Sequence, residues 1–459
     1  MTLNISVLKE KAAHEKRVAA SPDTVKKYTG MGCTVYIETK AGEHASFTDD
    51  MYKDAGAKIT SSDSEAVKKA DILLCVQPPE DSVVSNLKKG AILAGILAPY
   101  DNESSLKKWA KDGIITLSME LIPRITRAQA MDVLSSQANL AGYRAVLDAS
   151  AEFNRAFPMM MTAAGTVPPA RVFVMGAGVA GLQAIATAKR LGAIVSATDV
   201  RPAAKEQVES LGGTFIAVED EEFKQAETAG GYAKEMSKEY QAKQQALVEE
   251  TLLKQDIVIT TALIPGRPAP KLISEKMIKS MKPGSVIVDL AVERGGNCAG
   301  AQAGKTVEKD GVKIVGHANV PSRLAASAAS LYAKNLQNLL GLIIDSEKAA
   351  LKIDWEDEII KGITLTKDGK LVHPNFSKAD ENKSTPAKAE KQGDSKPAAK
   401  KTPAKTAAKT TAVKEAPAKK TSVKKPATKK PAASKTATKT ATAKKTAPKK
   451  ATDTSKKKA

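Results

Sequence analysis

A glycine-rich turn, Gly176–Gly181 (GAGVAG), limits the fold of this chain more than any other feature. It follows the apolar run Arg171–Met175, which is typical of a buried strand, and it opens the helical pattern Val179–Leu191. The next strand-like run, Ile194–Val200, carries an acidic residue, Asp199, near its end. Strand, glycine turn, helix, strand and acid in this order are the dinucleotide-binding fingerprint. The pattern therefore predicts a Rossmann-like α/β domain with a parallel sheet.

Each glycine of the turn has a separate expected role. Gly176 allows the tight turn, Gly178 lets the backbone approach a pyrophosphate, and Gly181 lets the helix pack closely on the strand. The start of the helix offers N–H groups to the phosphates. Asp199 would accept hydrogen bonds from an adenosine ribose and repel a 2′-phosphate, which favours NAD over NADP; Arg201 is interpreted as an adenine-side or solvent-exposed residue. A purely structural glycine turn beside a surface aspartate is the alternative.

Strand-like and helix-like segments also alternate over the first 120 residues, which indicates a second parallel sheet. The expected strands are Asn4–Leu8, Thr34–Glu38, Asp71–Val76, Ala91–Leu97 and Ile114–Met119, and after the glycine turn Asp256–Thr261, Ser285–Leu290 and Lys313–Gly316. A polar helix is expected over Glu235–Lys254, and a long helix over Ser322–Asp345 is expected to return to the first domain.

These segments predict two Rossmann-like, doubly wound parallel-sheet domains that flank a cleft. Residues 1–137 with 322–376 are assigned to a discontinuous first domain, and residues 138–321 to the NAD-binding domain.

Residues 377–459 differ from the rest in composition. They contain 25 lysines, no arginine and six acidic residues, so +19 of the formal charge of +20 lies there and the body is nearly neutral. So few large apolar residues cannot offset the chain entropy of folding, and we expect a disordered cationic tail. Non-specific binding to nucleic acid, attraction to anionic lipid and a solubilising role all remain open for the tail.

Several other classes of protein are disfavoured. Cys33, Cys75 and Cys298 lie far apart without a CxxC motif, so we expect neither a disulfide framework nor a metal site. The first residues lack the apolar core of a secretory signal, and no apolar run approaches the length of a membrane span. These features indicate a cytoplasmic chain that does not itself cross a membrane.

Three further segments are ambiguous from the residues alone. Arg124–Ser136 is a polar run between the two expected domains, where Gln129 could bind a carboxamide, but it also suits a capped helix start. Thr228–Met236, with paired glycines beside a tyrosine, suits either a mobile loop or a linker. The methionines of Met159–Met161 indicate packing, in the core or between subunits.

Taken together, these segments resemble the alanine dehydrogenase/pyridine nucleotide transhydrogenase family, and the transhydrogenase branch in particular. The resemblance covers about residues 1–376. The segments that carry it are Glu15–Pro22, Arg124–Tyr143, Phe157–Gly192 with Asp199, Ala229–Met236, and Thr261–Gly266 through Asp289–Glu293.

The resemblance implies roles for individual residues. Arg124, Gln129, Asp132 and Ser135 match the family's loop that positions the nicotinamide. The segment with Gly231 and Tyr232 matches a mobile loop that closes over NAD and touches the NADP-binding partner. Further cofactor contacts are expected at Arg127, Gly176, Gly178, Val179, Ala180, Gly181, Asp199, Val200, Arg201, Ala262 and Leu263.

The resemblance also implies an activity and partners. NAD(H) would bind to this chain and NADP(H) to a partner, with Re/Si-specific hydride transfer between them coupled to proton translocation. The implied partners are a second copy in a homodimer, a membrane-spanning subunit and an NADP-binding beta subunit, which would place the chain at the cytoplasmic face of the membrane.

The alanine dehydrogenase branch is the alternative within the family. Its members use a catalytic lysine in a Val-Lys-Glu-Pro motif and a histidine about twenty residues later. The corresponding positions here are Gln77, in Val76–Pro79, and the segment Ile96–Tyr100, which has no histidine. Because a glutamine cannot donate a proton as an ammonium group does, deamination chemistry is disfavoured.

Overall fold

The computed structural model describes residues 2–226 and 236–377 of the chain. These residues form two large β-sheets, and each sheet has an apolar core cluster on both of its faces. Among the helices of these two stretches, none has the length and apolar character of a membrane span.

The first part of the chain alternates six strands with five helices. The strands are β1 (Asn4–Val7), β2 (Thr34–Glu38), β3 (Lys58–Thr60), β4 (Ile72–Leu74), β5 (Ile92–Gly95) and β6 (Ile115–Ser118). The helices are α1 (Pro22–Gly30), α2 (Asp49–Asp54), α3 (Asp63–Lys69), α4 (Asp81–Val84) and α5 (Glu103–Lys111). The start of α1 is set locally, because Ser21 is its N-cap in a reciprocal capping box with Thr24.

The middle of the chain begins with a long helix and builds the second sheet. The helices are α6 (Val133–Glu152), α7 (Val179–Arg190), α8 (Ala204–Ser210), α9 (Glu221–Lys224), α10 (Lys238–Leu252) and α11 (Glu275–Ser280). The strands are β7 (Met160–Thr162), β8 (Gly165–Val167), β9 (Arg171–Met175), β10 (Ile194–Thr198), β11 (Thr214–Phe215), β12 (Ile257–Thr260), β13 (Val286–Asp289), β14 (Lys305–Lys309) and β15 (Val312–Gly316).

The last described segment returns to the first sheet. Its elements are α12 (Ala325–Ile343), β16 (Ile344–Asp345), β17 (Ala350–Leu351), α13 (Glu358–Ile363), β18 (Thr364–Lys367), β19 (Lys370–Leu371) and α14 (Pro374–Ser377). One face of α12, including Tyr332 and Leu336, is buried in the same core cluster as β1, as expected for the long helix. The boundaries of the two domains themselves remain a prediction.

The strand orders are those of doubly wound folds with antiparallel edges. The first sheet has the order β19-β18-β6-β5-β4-β1-β2-β3, in which β1 to β6 are parallel. The second has the order β11-β10-β9-β12-β13-β15-β14, in which only β14 is antiparallel.

The predicted fold class is confirmed for the two sheets. The antiparallel strands β14, β18 and β19 and the hairpin of β7 and β8 are not among the strands that the sequence predicts. The cationic tail, predicted over residues 377–459, lies outside the described residues apart from Ser377.

Candidate dinucleotide site

The second sheet has a topological switch point between β9 and β12. The chain leaves β9 toward β10 on one side, whereas β12 pairs with the other side of β9. In open α/β sheets, ligands bind outside the carboxyl ends of the strands at such a point. The predicted glycine turn follows β9, so it lies at this position.

The geometry of the turn fits the role predicted for each glycine. Gly176 has φ +104°, a conformation that other residues rarely adopt. A Cβ atom on Gly181 would come 1.8 Å from the carbonyl oxygen of Gly176, so only glycine allows α7 to lie this close to the turn. A Cβ on Gly178 would meet no atom within 4 Å, so the backbone is open there. A bare backbone at the N-terminus of a helix suits a pyrophosphate.

The carboxylate of Asp199 faces the glycine turn. Its Oδ2 accepts a hydrogen bond of 2.7 Å from the amide of Ala177, which holds the turn against the end of β10. The side chain of Arg201 binds the same carboxylate with two bonds, from Nε to Oδ1 at 2.9 Å and from Nη2 to Oδ2 at 3.1 Å. The Arg201 side chain is 29% exposed, and its interpretation as an adenine-side or solvent-exposed residue stays a prediction.

The end of β12 closes the other side of the switch point. Thr261 donates a hydrogen bond of 3.1 Å to the carbonyl oxygen of Gly176. The buried side chain of Asn297 accepts from the amide of Ala262 at 3.0 Å and donates to its carbonyl oxygen at 2.9 Å. The backbone of Ala262 is therefore satisfied within the protein, and its side chain is what remains for a ligand. Asn297 was missed in the sequence, where a polar residue after two glycines was the sole signal.

Several of the predicted cofactor contacts expose apolar surface around the turn. Val179, Val200 and Leu263 are 41%, 49% and 54% exposed. Ala180, in the first turn of α7, is partly buried. Exposed apolar side chains next to an open backbone are typical of a pocket for a partly aromatic ligand.

The predicted nicotinamide loop lies at the N-terminus of α6. Asp132 is the N-cap, and its carboxylate accepts from the amide of Ser135 at 2.9 Å and from its hydroxyl at 2.5 Å. Gln129 and Arg124 are exposed, with Gln129 in the 3₁₀ helix Thr126–Met131. The structure thus brings Asp132 and Ser135 into direct contact.

Helix α6 connects this loop to the glycine turn. A Cβ on Gly142 would come 2.0 Å from the carbonyl oxygen of Ala180, so α6 and α7 cross in direct backbone contact there. Asn139 adds a hydrogen bond of 3.2 Å to Gln183 of α7. Ser135 lies two helical turns before the crossing, or roughly 10 Å along the axis of α6.

The structure does not place the remaining predicted cofactor contacts, Arg127, Gly231 and Tyr232, at the glycine turn. The guanidinium of Arg127 binds Asp357, the N-cap of α13, with two bonds of 2.6 and 2.9 Å, and this pairing lowers the pKa of Asp357. A role of Arg127 toward a cofactor therefore stays a prediction. Gly231 and Tyr232 lie outside the described residues.

The first sheet also has a switch point, between β1 and β4, where the side chains of Glu10 and Glu15 lie. The carboxylate of Glu10 accepts from the amides of Val76 at 2.6 Å and Gln77 at 3.2 Å, directly after β4. Burial raises the pKa of Glu10 to about 8. Beside it, the buried guanidinium of Arg17 binds Glu15 at 2.8 and 2.6 Å. Burial alone would raise the pKa of Glu15, but its bonds with Arg17 lower it to about 2.

Comparison with known proteins gives a consistent result. Residues 6–141 match the N-terminal domain, and residues 145–374 the C-terminal domain, of the family described as alanine dehydrogenase/PNT. An NAD(P) transhydrogenase alpha-subunit chain of Rhodospirillum rubrum is 57% identical over 377 residues, which are 81% of this chain and 98% of that protein.

A solved structure and a more distant relative agree with this match. The crystal structure of transhydrogenase from Sinorhizobium meliloti is 55% identical with a TM-score of 0.73, covering 80% of this chain and all of that one. An alanine dehydrogenase of Halomonas elongata is 29% identical over 385 residues, 82% of this chain and 96% of that protein. On the two domain matches and the 57% identity, this chain belongs to the alanine dehydrogenase/PNT family.

Proposed function

We propose that this chain is the NAD(H)-binding alpha subunit of an NAD(P) transhydrogenase. A hydride would pass directly from NADH bound here to NADP⁺ on a partner subunit, or in the reverse direction, so that one nicotinamide is oxidised as the other is reduced. The observation that carries the proposal is the open glycine turn with its acid, Asp199, in a chain 57% identical to a transhydrogenase alpha-subunit chain over nearly the whole length of that relative.

The first switch point supports the transhydrogenase assignment over an alanine dehydrogenase without membrane coupling. The side-chain amide of Gln77, at the position of that branch's lysine, donates a hydrogen bond of 3.0 Å to Glu15. Glu15 in turn neutralises Arg17. Gln77, Glu15 and Arg17 are satisfied by one another, and Gln77 cannot donate a proton as the lysine of that branch does.

The proposal assigns the residues around the second switch point to parts of the dinucleotide. The amides at the start of α7, beyond Gly178, would hold the pyrophosphate, and Asp199 the adenosine ribose. Arg124, Gln129, Asp132 and Ser135 would orient the nicotinamide at the start of α6. The nicotinamide itself supplies the hydride chemistry, so the task of the chain is to hold the ring in one orientation. The Asp132–Ser135 contact supports this task because it fixes two of the four side chains.

Partners belong to the proposal as well. We place an NADP-binding beta subunit and a membrane-spanning subunit beside this chain, with Re/Si-specific transfer coupled to proton translocation at the cytoplasmic face of the membrane. A homodimer is supported by the hairpin of β7 and β8, where Met159, Met160 and Met161 are 60%, 43% and 80% exposed. Exposed methionines in a row favour a protein contact.

The cationic tail adds an electrostatic contact to this assembly. Twenty-five lysines in 83 residues would attract an anionic surface, with lipid headgroups beside a membrane partner as the first choice and nucleic acid as the second. Co-sedimentation of the full chain with anionic vesicles, and a mobility shift with duplex DNA, separate the two over a salt series. Retention by neither at low salt would exclude both.

Calorimetric titration of the full chain with NADH and NADPH tests the cofactor assignment. We expect NADH to bind and NADPH to bind at least about thirtyfold more weakly, because Asp199 repels a 2′-phosphate. Equal binding of the two would contradict the assignment. Addition of an NADP-binding beta subunit should then produce hydride transfer from NADH to an NADP⁺ analogue, measured by absorbance, and its absence would contradict the transhydrogenase role.

A further inference from the structure

Arg201 and Ala177 use the whole hydrogen-bonding capacity of the Asp199 carboxylate. Oδ1 accepts from the amide and from Nε of Arg201, both at 2.9 Å. Oδ2 accepts from the amide of Ala177 at 2.7 Å and from Nη2 of Arg201 at 3.1 Å. A carboxylate has about four acceptor positions, and all of them are occupied. The Asp199 side chain is 7% exposed, so solvent offers little in exchange.

A ribose diol needs two of these positions. The two bonds from backbone amides come from Ala177 in the turn and from Arg201 after β10, so they cannot be given up without moving the backbone. The two bonds from the Arg201 side chain belong to a long side chain that is 29% exposed and can rotate away. The diol and the guanidinium therefore compete for the same acceptors.

We propose that Arg201 is a specificity-determining residue of the ribose pocket, whose guanidinium occupies the place of the ribose diol until a dinucleotide displaces it. The inference rests on the proposed function, since it takes Asp199 to be the ribose acceptor. Arg201 then weakens NADH binding, because its charge-assisted, bidentate pair with Asp199 must open before the ribose binds.

The same geometry gives Arg201 a second, latent property. A guanidinium next to the ribose 2′ position is the group that suits a 2′-phosphate. Here it is neutralised by Asp199, so it cannot recruit a phosphate while that carboxylate is charged. Removal of the charge at position 199 should therefore allow NADPH to bind through Arg201, and removal of both groups should not.

Three variants and a matched control test this competition. Arg201→Met removes the competitor, Asp199→Asn removes the charge but retains an acceptor for the Ala177 amide, and the third variant combines the two changes. Arg155→Met is the control, since Arg155 also binds an aspartate that is 7% exposed, Asp256, at 2.9 Å. Asp256 precedes β12, at the amino end of the strand and away from the switch point.

Calorimetry with NADH and NADPH is carried out on the full chain, with thermal melts of the nucleotide-free proteins. Arg201→Met should tighten NADH binding about tenfold, and Arg155→Met should leave it unchanged. Asp199→Asn should bind NADPH at least about tenfold more tightly than the double variant. The melts show that each variant is folded; if Arg201→Met does not fold, Arg201→Gln, which is neutral and cannot form the bidentate pair, replaces it alone and in the double variant.

The outcomes separate the inference from the proposed function. If the wild-type chain binds NADH and Arg201→Met binds it equally or more weakly, the competition does not exist. Equal NADPH affinity of Asp199→Asn and the double variant overturns the latent phosphate site. If the wild-type chain binds neither nucleotide, or binds both alike, the proposed function fails first.

Discussion

The two sheets each have a topological switch point, and the protein uses these two equivalent positions in opposite ways. In the turn after β9, a Cβ atom on Gly178 would meet no atom within 4 Å, so the backbone there is open. After β4, the backbone amides of Val76 and Gln77 are already bound by the carboxylate of Glu10. One switch point is thus open to an anion from outside, and at the other the Glu10 side chain already occupies the backbone amides.

The difference shows why fold alone does not locate a site. Both sheets are parallel at the switch point, and both direct backbone amides toward it. At the second sheet, glycines remove the side chains that would cover those amides. At the first sheet, Glu10 satisfies them, and the pair of Glu15 with Arg17 occupies the adjacent space. The chemistry of the two regions therefore depends on a few side chains and not on the topology.

The largest effect is expected from a substitution at the filled switch point. Arg17→Met leaves the carboxylate of Glu15 buried without its main partner, since Glu15 has no exposed side-chain surface. Breaking one side of a buried pair should cost about 3–5 kcal/mol of unfolding free energy. Urea denaturation followed by circular dichroism measures this loss.

A double variant and an exposed pair serve as controls for that substitution. Glu15→Gln combined with Arg17→Met removes both charges, so it should recover more than half of the loss. Arg127→Met removes one side of an exposed pair and should leave the denaturation midpoint nearly unchanged. A loss below about 1 kcal/mol for Arg17→Met would mean that the first switch point is not held by this pair.

The next effect is expected at the open switch point, on binding and not on stability. Gly178→Ala places a methyl group where the nucleotide-free protein has space, so its unfolding free energy should fall by no more than about 1 kcal/mol. NADH binding should weaken about a hundredfold, because the methyl group lies between the backbone and the pyrophosphate. Calorimetry measures the NADH affinity, and thermal melts measure the change in stability.

Gly341→Ala is the matched control for that change. Gly341 lies inside α12 and a Cβ there also meets no atom within 4 Å. The substitution should stabilise the protein by about 0.5–1 kcal/mol through helix propensity and leave NADH binding unchanged. Unaltered NADH affinity in Gly178→Ala would show that the turn is not the phosphate site.

A smaller effect is expected from the titration of Glu10. Its pKa is raised from 4.5 to about 8 by burial, so the folded state holds this proton more tightly than the unfolded state. The unfolding free energy should therefore fall as the pH rises from 4.5 to 8 and stay level above pH 8. The total fall should be on the order of 2 kcal/mol, a value reduced for solvent screening because the residue is only partly buried. Glu10→Gln should abolish this slope in urea denaturation at a series of pH values, and a slope of opposite sign in the wild-type chain would contradict the assignment.

The features of the open switch point that the sequence predicts are local ones. The bounds of β2 and β9 agree with the expected strands, and the three glycines of the turn have the geometry that their spacing implies. These features depend on residues a few positions apart, whose types allow one local conformation.

The features that the sequence did not predict depend on distant partners or on side-chain rotamers. The bonds of Asn297 to Ala262 span 35 positions, and the Arg127–Asp357 pair spans 230. Arg201 is two residues from Asp199, but a rotamer decides whether it binds the carboxylate or faces solvent. Glu10 gave no signal because a glutamate in a loop is ordinarily a surface residue.

The smallest effect is expected from an ion pair that joins the two switch-point edges. Arg294, after β13, binds Asp101, after β5, with two bonds of 2.9 and 2.5 Å, and both side chains are nearly half exposed. Solvent screens such a pair, so Arg294→Met should cost no more than about 1 kcal/mol, and about 1 M salt should remove most of the difference. Asn319→Ala should cost more, because it removes the hydrogen bond of 2.9 Å that the Asn319 side chain donates to the buried Glu15. Asn319 also has φ +45°, a left-handed conformation that alanine adopts less readily than asparagine. Thermal melts of both variants at low and high salt make the comparison. A larger loss for Arg294→Met would mean that the exposed pair, and not the buried network around Glu15, holds the two edges together.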